Sequence, residues 1–254
     1  MFQTIIVRTP GENCGAGLTS VDLGTPDPIL LRQQWEYYVK TIEDLDVDVV
    51  VLPALSDLAD SYFVEDVAVV TPEIAVITRP GADSRRPEAE HMVETLKSFR
   101  AVARIEAPGT LDGGDVLVVG KHCIIGLSER TNRSGAEQLC HYLEEHGYRG
   151  DIVEVPEALH FKSSVNFVDE ETLLVTSSCA NLECLAGYRL IVVPDGENYA
   201  ANVVWMNGQV LMPEGYPGVR ALLIEHGANV IEMPVSEIAK MDGGLTCLSL
   251  RLTA

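Results

Sequence analysis

One cysteine and one histidine stand where they could do covalent chemistry together. Cys247 follows the turn-forming run Asp242-Gly243-Gly244 and opens an alternating segment, which predicts a thiol held at the start of a strand. A cysteine attacks as the thiolate, which requires a neighbouring imidazole or cation. His160 titrates near neutrality and could protonate a leaving group and then activate water. Taken alone, Cys247 fits a small buried residue of a terminal strand better than a nucleophile.

Two aspartates, Asp66 and Asp112, narrow the chemistry that such a pair could perform. Carboxylates facing a thiolate suit a planar cation that donates paired hydrogen bonds, namely a guanidinium or an amidinium. The sequence has no glycine-rich helix start to act as an oxyanion hole for hydrolysis at a carbonyl. Considered singly, the two aspartates fit turn or capping residues, and His160 between Leu159 and Phe161 fits a core histidine.

A repeated pattern predicts how these side chains are brought together. A short apolar strand ends near a proline, and a loop, two hairpin strands and a helix follow. The pattern recurs five times at intervals of roughly 40 to 55 residues. Its prolines are Pro53, Pro108, Pro156, Pro194 and Pro234. The predicted helices are 29–45, 88–100, 133–146, a short one near 181–186, and 217–226.

Five such units favour a closed radial array over a linear stack, because neither end of the chain looks like a polar capping repeat. The fold class predicted is therefore α/β, as a fivefold pseudosymmetric α/β-propeller of strand-hairpin-helix units. The first strand, residues 4–8, would complete the final unit. No linker or low-complexity segment divides the chain, so residues 1–254 are predicted to form a single domain. A four-bladed or a two-domain arrangement stays open.

The candidate site residues occupy matching positions in different units. Asp112 and His160 each lie four residues after their proline, and Asp66 and Cys247 each lie thirteen residues after theirs. Equivalent positions of radially related units meet at the axis of the array. We therefore expect one thiol, one imidazole and two carboxylates to converge there.

The amino-acid composition and the net charge limit the classes of molecule that this protein could bind. With 18 basic and 38 acidic side chains, the formal charge is −20, which disfavours nucleic acid and would attract a cationic ligand, or would serve only solubility. The N-terminus lacks the zones of a signal peptide, and no apolar run is long enough to span a membrane. The six cysteines show no paired spacing, so neither a zinc site nor a disulfide framework is indicated, and a cytoplasmic location is predicted.

Several motifs, taken in order along nearly the whole chain, resemble the dimethylarginine dimethylaminohydrolase family of the guanidine-modifying superfamily. The motifs are Phe63-Val64-Glu65-Asp66, Thr78-Arg79-Pro80-Gly81, Ser84-Arg85-Arg86, Leu111-Asp112-Gly113-Gly114-Asp115, Gly126-Leu127-Ser128-Glu129-Arg130-Thr131-Asn132, Leu159-His160-Phe161-Lys162, Tyr199-Ala200-Ala201-Asn202 and the segment 242–249. The resemblance implies a fivefold α/β-propeller and no cofactor or metal. The short chain favours this branch over arginine deiminases, which usually carry an inserted helical domain.

The resemblance also implies a covalent mechanism. Cys247 would attack the guanidinium carbon, and His160 would protonate the departing methylamine or dimethylamine. His160 would then activate the water that hydrolyses the thiouronium to citrulline. Asp112 would orient His160 and face the guanidinium. Some bacterial members carry glutamate at the position of Asp112, and we expect the shorter aspartate to be tolerated.

The remaining site residues implied by the resemblance bind substrate. Asp66, assisted by Glu65, would bind guanidinium N–H groups. Four further residues, named below, would hold the α-carboxylate and the α-ammonium group of the substrate. A loop at residues 11–24 could close over the pocket, and a homodimer is possible. The α-carboxylate ligands would be Arg85 and Arg130, and the α-ammonium ligands would be Asp60 and the backbone of Leu18.

Two alternatives remain at this point. One is a related guanidine hydrolase, such as an enzyme that prefers free arginine and releases ammonia. The other is a non-enzymatic binding protein on the same fivefold scaffold, which would be expected to lack the cysteine, histidine and carboxylates that this chain retains.

Overall fold

The architecture is a ring of five blades, each a three-stranded sheet, in a computed structural model that describes residues 1–20, 22–155 and 159–253. In every blade the first strand pairs antiparallel with the second, and the second pairs parallel with the third. The strands are β1 Phe2–Arg8, β2 Asp48–Leu52, β3 Ala68–Val70, β4 Ile74–Ile77, β5 Ala101–Arg104, β6 Val116–Val119, β7 His122–Leu127, β8 Arg149–Glu154, β9 Val165–Phe167, β10 Thr172–Val175, β11 Arg189–Val192, β12 Val204–Met206, β13 Gln209–Pro213, β14 Asn229–Met233 and β15 Leu250–Thr253. The predicted fivefold α/β-propeller is confirmed.

The helices cross from the second to the third strand of four blades, as parallel pairing requires. They are α1 Pro28–Glu43, α2 Arg86–Lys97, α3 Arg133–Glu144 and α4 Pro217–His226. A short fifth helix, α5 Ser236–Ala239, lies between β14 and β15. Predicted helices therefore agree with observed ones to within a few residues. The exception is the segment near 181–186, where the structure has only a single 3₁₀ turn, Glu183–Leu185.

The two ends of the chain close the ring. β1 pairs antiparallel with β15 and parallel with β2, so the first blade joins strands from both termini. This confirms the prediction that the first strand completes the final unit. Middle strands such as β4 and β10 are buried along their whole length, because helices and neighbouring blades cover both of their faces. Of the five prolines used to find the repeat, Pro156 lies outside the described residues.

Five 3₁₀ turns, here called the axial turns, precede the first strands of the five blades. Turns in neighbouring blades pack against one another. The axial turns are Val64–Val67, Gly113–Asp115, Phe161–Ser163, Asn198–Ala201 and Thr246–Leu248. Since every candidate catalytic residue lies in or next to one of them, the ring brings those residues to its axis. Among the described residues, none of the helices combines the length and the apolar character needed to cross a lipid bilayer.

The start of α1 has a local determinant that can be tested. Asp27 caps the helix by accepting hydrogen bonds from the backbone N–H groups of Ile29 (2.8 Å) and Leu30 (3.2 Å), and Pro28 fits the first turn. We expect Asp27→Ala to lower the free energy of unfolding by about 1 kcal/mol. Asp27→Asn, which retains an acceptor oxygen, should lose much less. Urea denaturation of both variants checks this, and equal losses would contradict the capping role.

Candidate active site

Cys247 lies inside an axial turn, not at the start of a strand as its alternating neighbours predicted. β15 begins only at Leu250, and the backbone at Thr246 is turned instead. The turn is fixed by Asn202, whose side-chain oxygen accepts from the Thr246 N–H (3.0 Å) and whose amide donates to the Thr246 hydroxyl (3.1 Å). The N–H of Gly244 points at the Cys247 sulfur at 3.4 Å. The strand assignment was wrong because a side chain from another blade holds this backbone.

One pocket gathers most of the predicted site residues. It encloses about 380 Å³ of atom-free space and is lined also by Phe63, Leu159 and Met241. Asp112 and Glu65 are the two predicted residues that do not line it. The predicted residues that do line it are Leu18, Asp60, Asp66, Arg85, Arg130, His160 and Cys247.

His160 lies between two carboxylates. Its Nε2 is 3.1 Å from Oδ2 of Asp112, and its Nδ1 is 4.0 Å from Oδ1 of Asp66. Asp112 is fully buried behind the ring, where its other oxygen accepts the Gly81 N–H at 2.9 Å. Gly114 makes the approach possible, because a Cβ there would lie 2.7 Å from Asp66 Oδ1 and 2.8 Å from His160 Nδ1. The arrangement fits the orienting role predicted for Asp112, but Asp112 does not face the pocket.

These contacts favour an imidazolium at His160. Burial alone would lower the pKa of His160, but the charge of Asp66 and the hydrogen bond to Asp112 outweigh burial and raise the pKa to about 9. Burial opposes ionisation of Asp112 as well, yet its hydrogen bond to His160 lowers the pKa of its carboxyl below the ordinary value. The pair is therefore ionised at neutral pH.

The Cys247 thiol is in the opposite situation. Burial and the nearby charges of Asp66 and Glu65 raise its pKa to about 12, while the Gly244 N–H and the Lys162 ammonium act in the lowering direction. Without a ligand, Cys247 is therefore a neutral thiol at pH 7. A cation bound beside Asp66 would offset the carboxylate charge and make the thiolate easier to form.

Arg85 is buried and already extensively paired. Its guanidinium contacts the carboxylates of Asp66 and Glu88, the latter at 2.8 Å, and it donates to the backbone oxygens of Asp60 (3.3 Å) and Phe63 (3.0 Å). Burial raises the pKa of Glu88 to about 7, although Arg85 acts in the opposite direction. Arg85 thus holds Asp66 in place, and most of its N–H groups are used before any ligand binds.

Arg130 differs from Arg85. Its side chain is half-buried, lines the pocket, and forms no ion pair or hydrogen bond with another described residue. Only its backbone N–H is engaged, by the hydroxyl of Ser128 at 3.0 Å. A guanidinium that is free at the wall of a pocket is suited to bind a carboxylate in bidentate fashion.

The two residues predicted to bind an ammonium group contact each other. The N–H of Leu18 points at both carboxylate oxygens of Asp60, at 3.2 and 3.1 Å. Gly17 permits this closeness, because a Cβ at that position would lie 1.9 Å from Asp60 Oδ1. Ser20 is held in turn by Asp242, which accepts its backbone N–H. These contacts fix the loop that carries Leu18 over the pocket, and Val21 within that loop lies outside the described residues.

Glu65 belongs to a separate ionic cluster on the axis. One of its oxygens contacts Lys162 at 2.6 Å and also pairs with Arg251, and the other has no hydrogen-bond partner among the described residues. Glu65 lines a different cavity, on the side of β15, together with these two basic residues. No role was predicted from the sequence for Lys162 or Arg251. A signal was available for Lys162, because it stands in the axial turn next to His160.

Asp115 is a third residue for which no role was predicted from the sequence. It is fully buried, and Oδ1 accepts the N–H of Phe161 (2.9 Å), the residue after His160. Oδ2 accepts the hydroxyls of Ser128 (2.7 Å) and Thr131 (2.6 Å), which flank Arg130. One carboxylate therefore joins the backbone beside His160 to the turn that carries Arg130.

A metal could be considered at this site, since ligand atoms of Asp66, Asp112 and His160 lie within 4.8 Å of one another. The imidazole nitrogens, however, face the two carboxylates, and the raised pKa of His160 places a proton between them. A protonated imidazole cannot ligate a metal. At neutral pH the imidazolium of His160 offsets one of the two carboxylate charges, and Arg85 pairs with Asp66.

Comparison with known proteins places this fold and site in a class. Residues 53–185 match the family model described as arginine deiminase. The N-terminal domain of ArgZ, an arginine dihydrolase from cyanobacteria, superposes with a TM-score of 0.88 over the whole chain and 98% of that domain, at 18% identity, which shows a common fold. The protein is thus a member of the arginine deiminase class of five-bladed α/β-propellers.

Closer relatives define the family within that class. The chain is 42% identical to the N(G),N(G)-dimethylarginine dimethylaminohydrolase of Pseudomonas aeruginosa over 99% of its own length and 100% of the relative. It is 37% identical to the enzyme of the same name from Streptomyces coelicolor, over 97% and 96% of the two chains. A cysteine-to-serine mutant of the Pseudomonas protein, complexed with citrulline, superposes with a TM-score of 0.97 over 99% of both chains. The chain belongs to the dimethylarginine dimethylaminohydrolase family.

We expect Asp115→Asn to lower both the free energy of unfolding and the pKa of His160. The amide nitrogen cannot accept one of the two hydroxyl hydrogen bonds, which should cost about 1–3 kcal/mol at a buried site. Loss of the carboxylate charge removes one of the groups that raise the His160 pKa. Urea denaturation and an NMR titration of the His160 ring measure the two effects. Asp83→Asn, at an exposed position, is the matched control, and an unshifted His160 pKa would contradict the prediction.

Proposed function

We propose that this protein hydrolyses Nω-methylated arginines, namely asymmetric dimethylarginine and monomethylarginine, to citrulline and dimethylamine or methylamine. The observation that carries the proposal is the pocket that joins Cys247, His160 and Asp66 to Arg130, whose guanidinium has no ion-pair partner among the described residues. Such a pocket offers a nucleophile, an acid and a cation site at one end and a carboxylate site at the other. Membership of the dimethylarginine dimethylaminohydrolase family supports the same reaction.

Substrate binding in the proposal follows the charges of the pocket. Arg130 takes the α-carboxylate, assisted by the remaining N–H of Arg85, and Asp60 with the backbone of Leu18 takes the α-ammonium. The guanidinium lies against Asp66. Glu65 acts on the guanidinium through its charge and through the position of the axial turn, since its carboxylate is held by Lys162 and Arg251.

The first chemical step forms a C–S bond. The substrate cation offsets the charge of Asp66 and lowers the pKa of Cys247, and the thiol proton leaves to solvent. The thiolate attacks the guanidinium carbon and gives a tetrahedral adduct. The imidazolium of His160 donates its proton to the substituted nitrogen, the C–N bond breaks, and the amine departs. An S-alkylthiouronium on Cys247 remains.

The second chemical step hydrolyses the thiouronium and regenerates the free enzyme. His160 is now neutral and removes a proton from water, which attacks the thiouronium carbon while Asp112 stabilises the new imidazolium. Collapse of this adduct expels the Cys247 thiolate and releases the hydroxyl proton, which gives the ureido group of citrulline. The thiolate takes up a proton again, so that the resting thiol is restored. The sum of both steps consumes one water and releases one amine, and no external oxidant or reductant is needed.

A substrate panel tests the proposed reaction. We expect citrulline release from asymmetric dimethylarginine and monomethylarginine to exceed that from arginine, and Cys247→Ser to reduce it by at least about a thousandfold. Acid-quenched turnover should show the thiouronium on Cys247 by intact-mass spectrometry in the wild type only. Overwhelming preference for free arginine would instead support the arginine deiminase alternative. Absence of any turnover and adduct would support a binding protein.

The pH dependence of thiol reactivity tests the ionisation state of the unliganded site. Because the pKa of Cys247 is raised to about 12, the thiolate fraction should grow about tenfold per pH unit from pH 7 upward. The rate of alkylation of Cys247 by iodoacetamide should follow without a plateau below pH 10. Peptide mass spectrometry separates Cys247 from the other five cysteines, and Cys247→Ser provides the blank. A plateau near pH 8 would contradict a neutral resting thiol.

Three further features belong to this proposal. The chain forms one domain over residues 1–254, which the pairing of β1 with β15 supports. It functions in the cytoplasm, in keeping with six unpaired cysteines.

The third feature is that the protein forms a homodimer. The exposed apolar side chains of Ile29, Leu30 and Tyr37 on α1 offer a contact surface, and light scattering would measure the mass of the particle in solution.

A further inference from the structure

A wide cleft meets the catalytic pocket at Cys247. The two cavities share Leu159, Asp242, Gly243 and Cys247 and otherwise have different walls. The cleft encloses about 1660 Å³ including its open mouth, against about 380 Å³ for the pocket. Cys247 therefore stands at a junction, with a narrow charged chamber on one side and a larger opening on the other.

The chemistry of the cleft differs from that of the pocket. Of the described residues that line it, Asp242 is the only charged one, whereas the pocket is lined by three aspartates and two arginines. The cleft is walled by hydroxyl and amide groups of blades 4 and 5, the blades that begin at β9 and β12. They include Ser163, Ser164, Thr176, Asn198, Tyr199 and Asn202.

Ser164 has an unused hydrogen-bonding group at this wall. The residue is 6% exposed, and its backbone N–H and C=O are engaged by Phe161 (3.0 Å) and Thr176 (2.9 Å). Its hydroxyl has no hydrogen-bond partner among the described residues. The hydroxyl oxygen is accessible from the cleft, where it can form a hydrogen bond with water or with a donor or acceptor of a ligand.

We propose that the cleft is the subsite for the Nω substituent of the substrate and that it admits uncharged polar substituents larger than methyl, such as hydroxyalkyl groups. This inference rests on the proposed function. If Arg130 and Asp60 hold the amino-acid end in the pocket, the substituted nitrogen at Cys247 faces away from them, which is the side of the cleft. The hydroxyls match a neutral polar tail, and the net charge of −20 disfavours an anionic one.

The reaction with such a substrate keeps the same atom balance. Nω-(3-hydroxypropyl)-L-arginine loses its C–N bond to the substituted nitrogen, which takes the proton from His160 and leaves as 3-aminopropanol. Water supplies the oxygen of citrulline.

The test compares Nω-methyl, Nω-propyl, Nω-(3-hydroxypropyl) and Nω-(2-carboxyethyl) derivatives of L-arginine, with citrulline and the released amine measured by mass spectrometry. We expect kcat/KM for the hydroxypropyl derivative to lie within about tenfold of the methyl derivative and above the propyl derivative. The carboxyethyl derivative should be at least about a hundredfold poorer. Turnover of methylarginine with rejection of both larger neutral substrates would overturn the inference and leave the proposed function standing. Turnover of none would overturn both.

Ser164→Val supplies the matched variant, because it removes the hydroxyl, places two methyl groups on Cβ and narrows the cleft. We expect it to lower the hydroxypropyl-to-methyl ratio of kcat/KM by at least about fivefold, and the propyl-to-methyl ratio by less. Ser98→Val, at an exposed position after α2, should leave both ratios unchanged. An unchanged hydroxypropyl-to-methyl ratio in Ser164→Val would show that the substituent does not contact this wall.

Discussion

A chain of buried charges of alternating sign is the interaction on which the site depends. It runs from Asp112 to His160 to Asp66 to Arg85 to Glu88, and each neighbour is within ion-pair distance. Every member is nearly inaccessible to water, and loss of Asp66, which lies beside both cations, would leave buried charge uncompensated in a medium of low dielectric constant, at a cost of about 3–5 kcal/mol. These neighbouring charges also fix the protonation state of the imidazole, since Asp66 and Asp112 raise the pKa of His160.

The same constraint explains why the resting nucleophile is not ionised. Burial and the carboxylates of Asp66 and Glu65 act directly on the sulfur, so a thiolate at Cys247 would be a desolvated charge facing two others of the same sign. A guanidinium ligand changes that balance in the direction that favours attack. Specificity for cations and activation of the thiol thus have one electrostatic origin.

Closure of the ring makes this geometry rigid. Polar contacts join neighbouring blades away from the axial turns, as in the 2.6 Å pair of His226 with Asp169 and the hydrogen bonds between Asn207 and the backbone of Phe2. Arg100 similarly reaches the backbone oxygens of Thr71 and Thr253. The Arg100–Thr71 hydrogen bond lies within one blade, and each of the other contacts bridges two neighbouring blades, so outward movement at those interfaces would break polar contacts.

The sequence by itself determined the number of units, the order of their elements and the convergence of Asp66, Asp112, His160 and Cys247, because a repeated pattern of prolines and apolar strands is a local property that radial closure carries to one axis. It did not determine the backbone conformation at Cys247, where hydrogen bonds with Asn202 of another blade hold a turn in place of a strand. Nor did it determine that the guanidinium of Arg85 is paired with Asp66 and Glu88. Nor did it separate Glu65 from the pocket. Those outcomes depend on which buried charge finds which partner, and pairing between distant segments is decided only when the ring has closed.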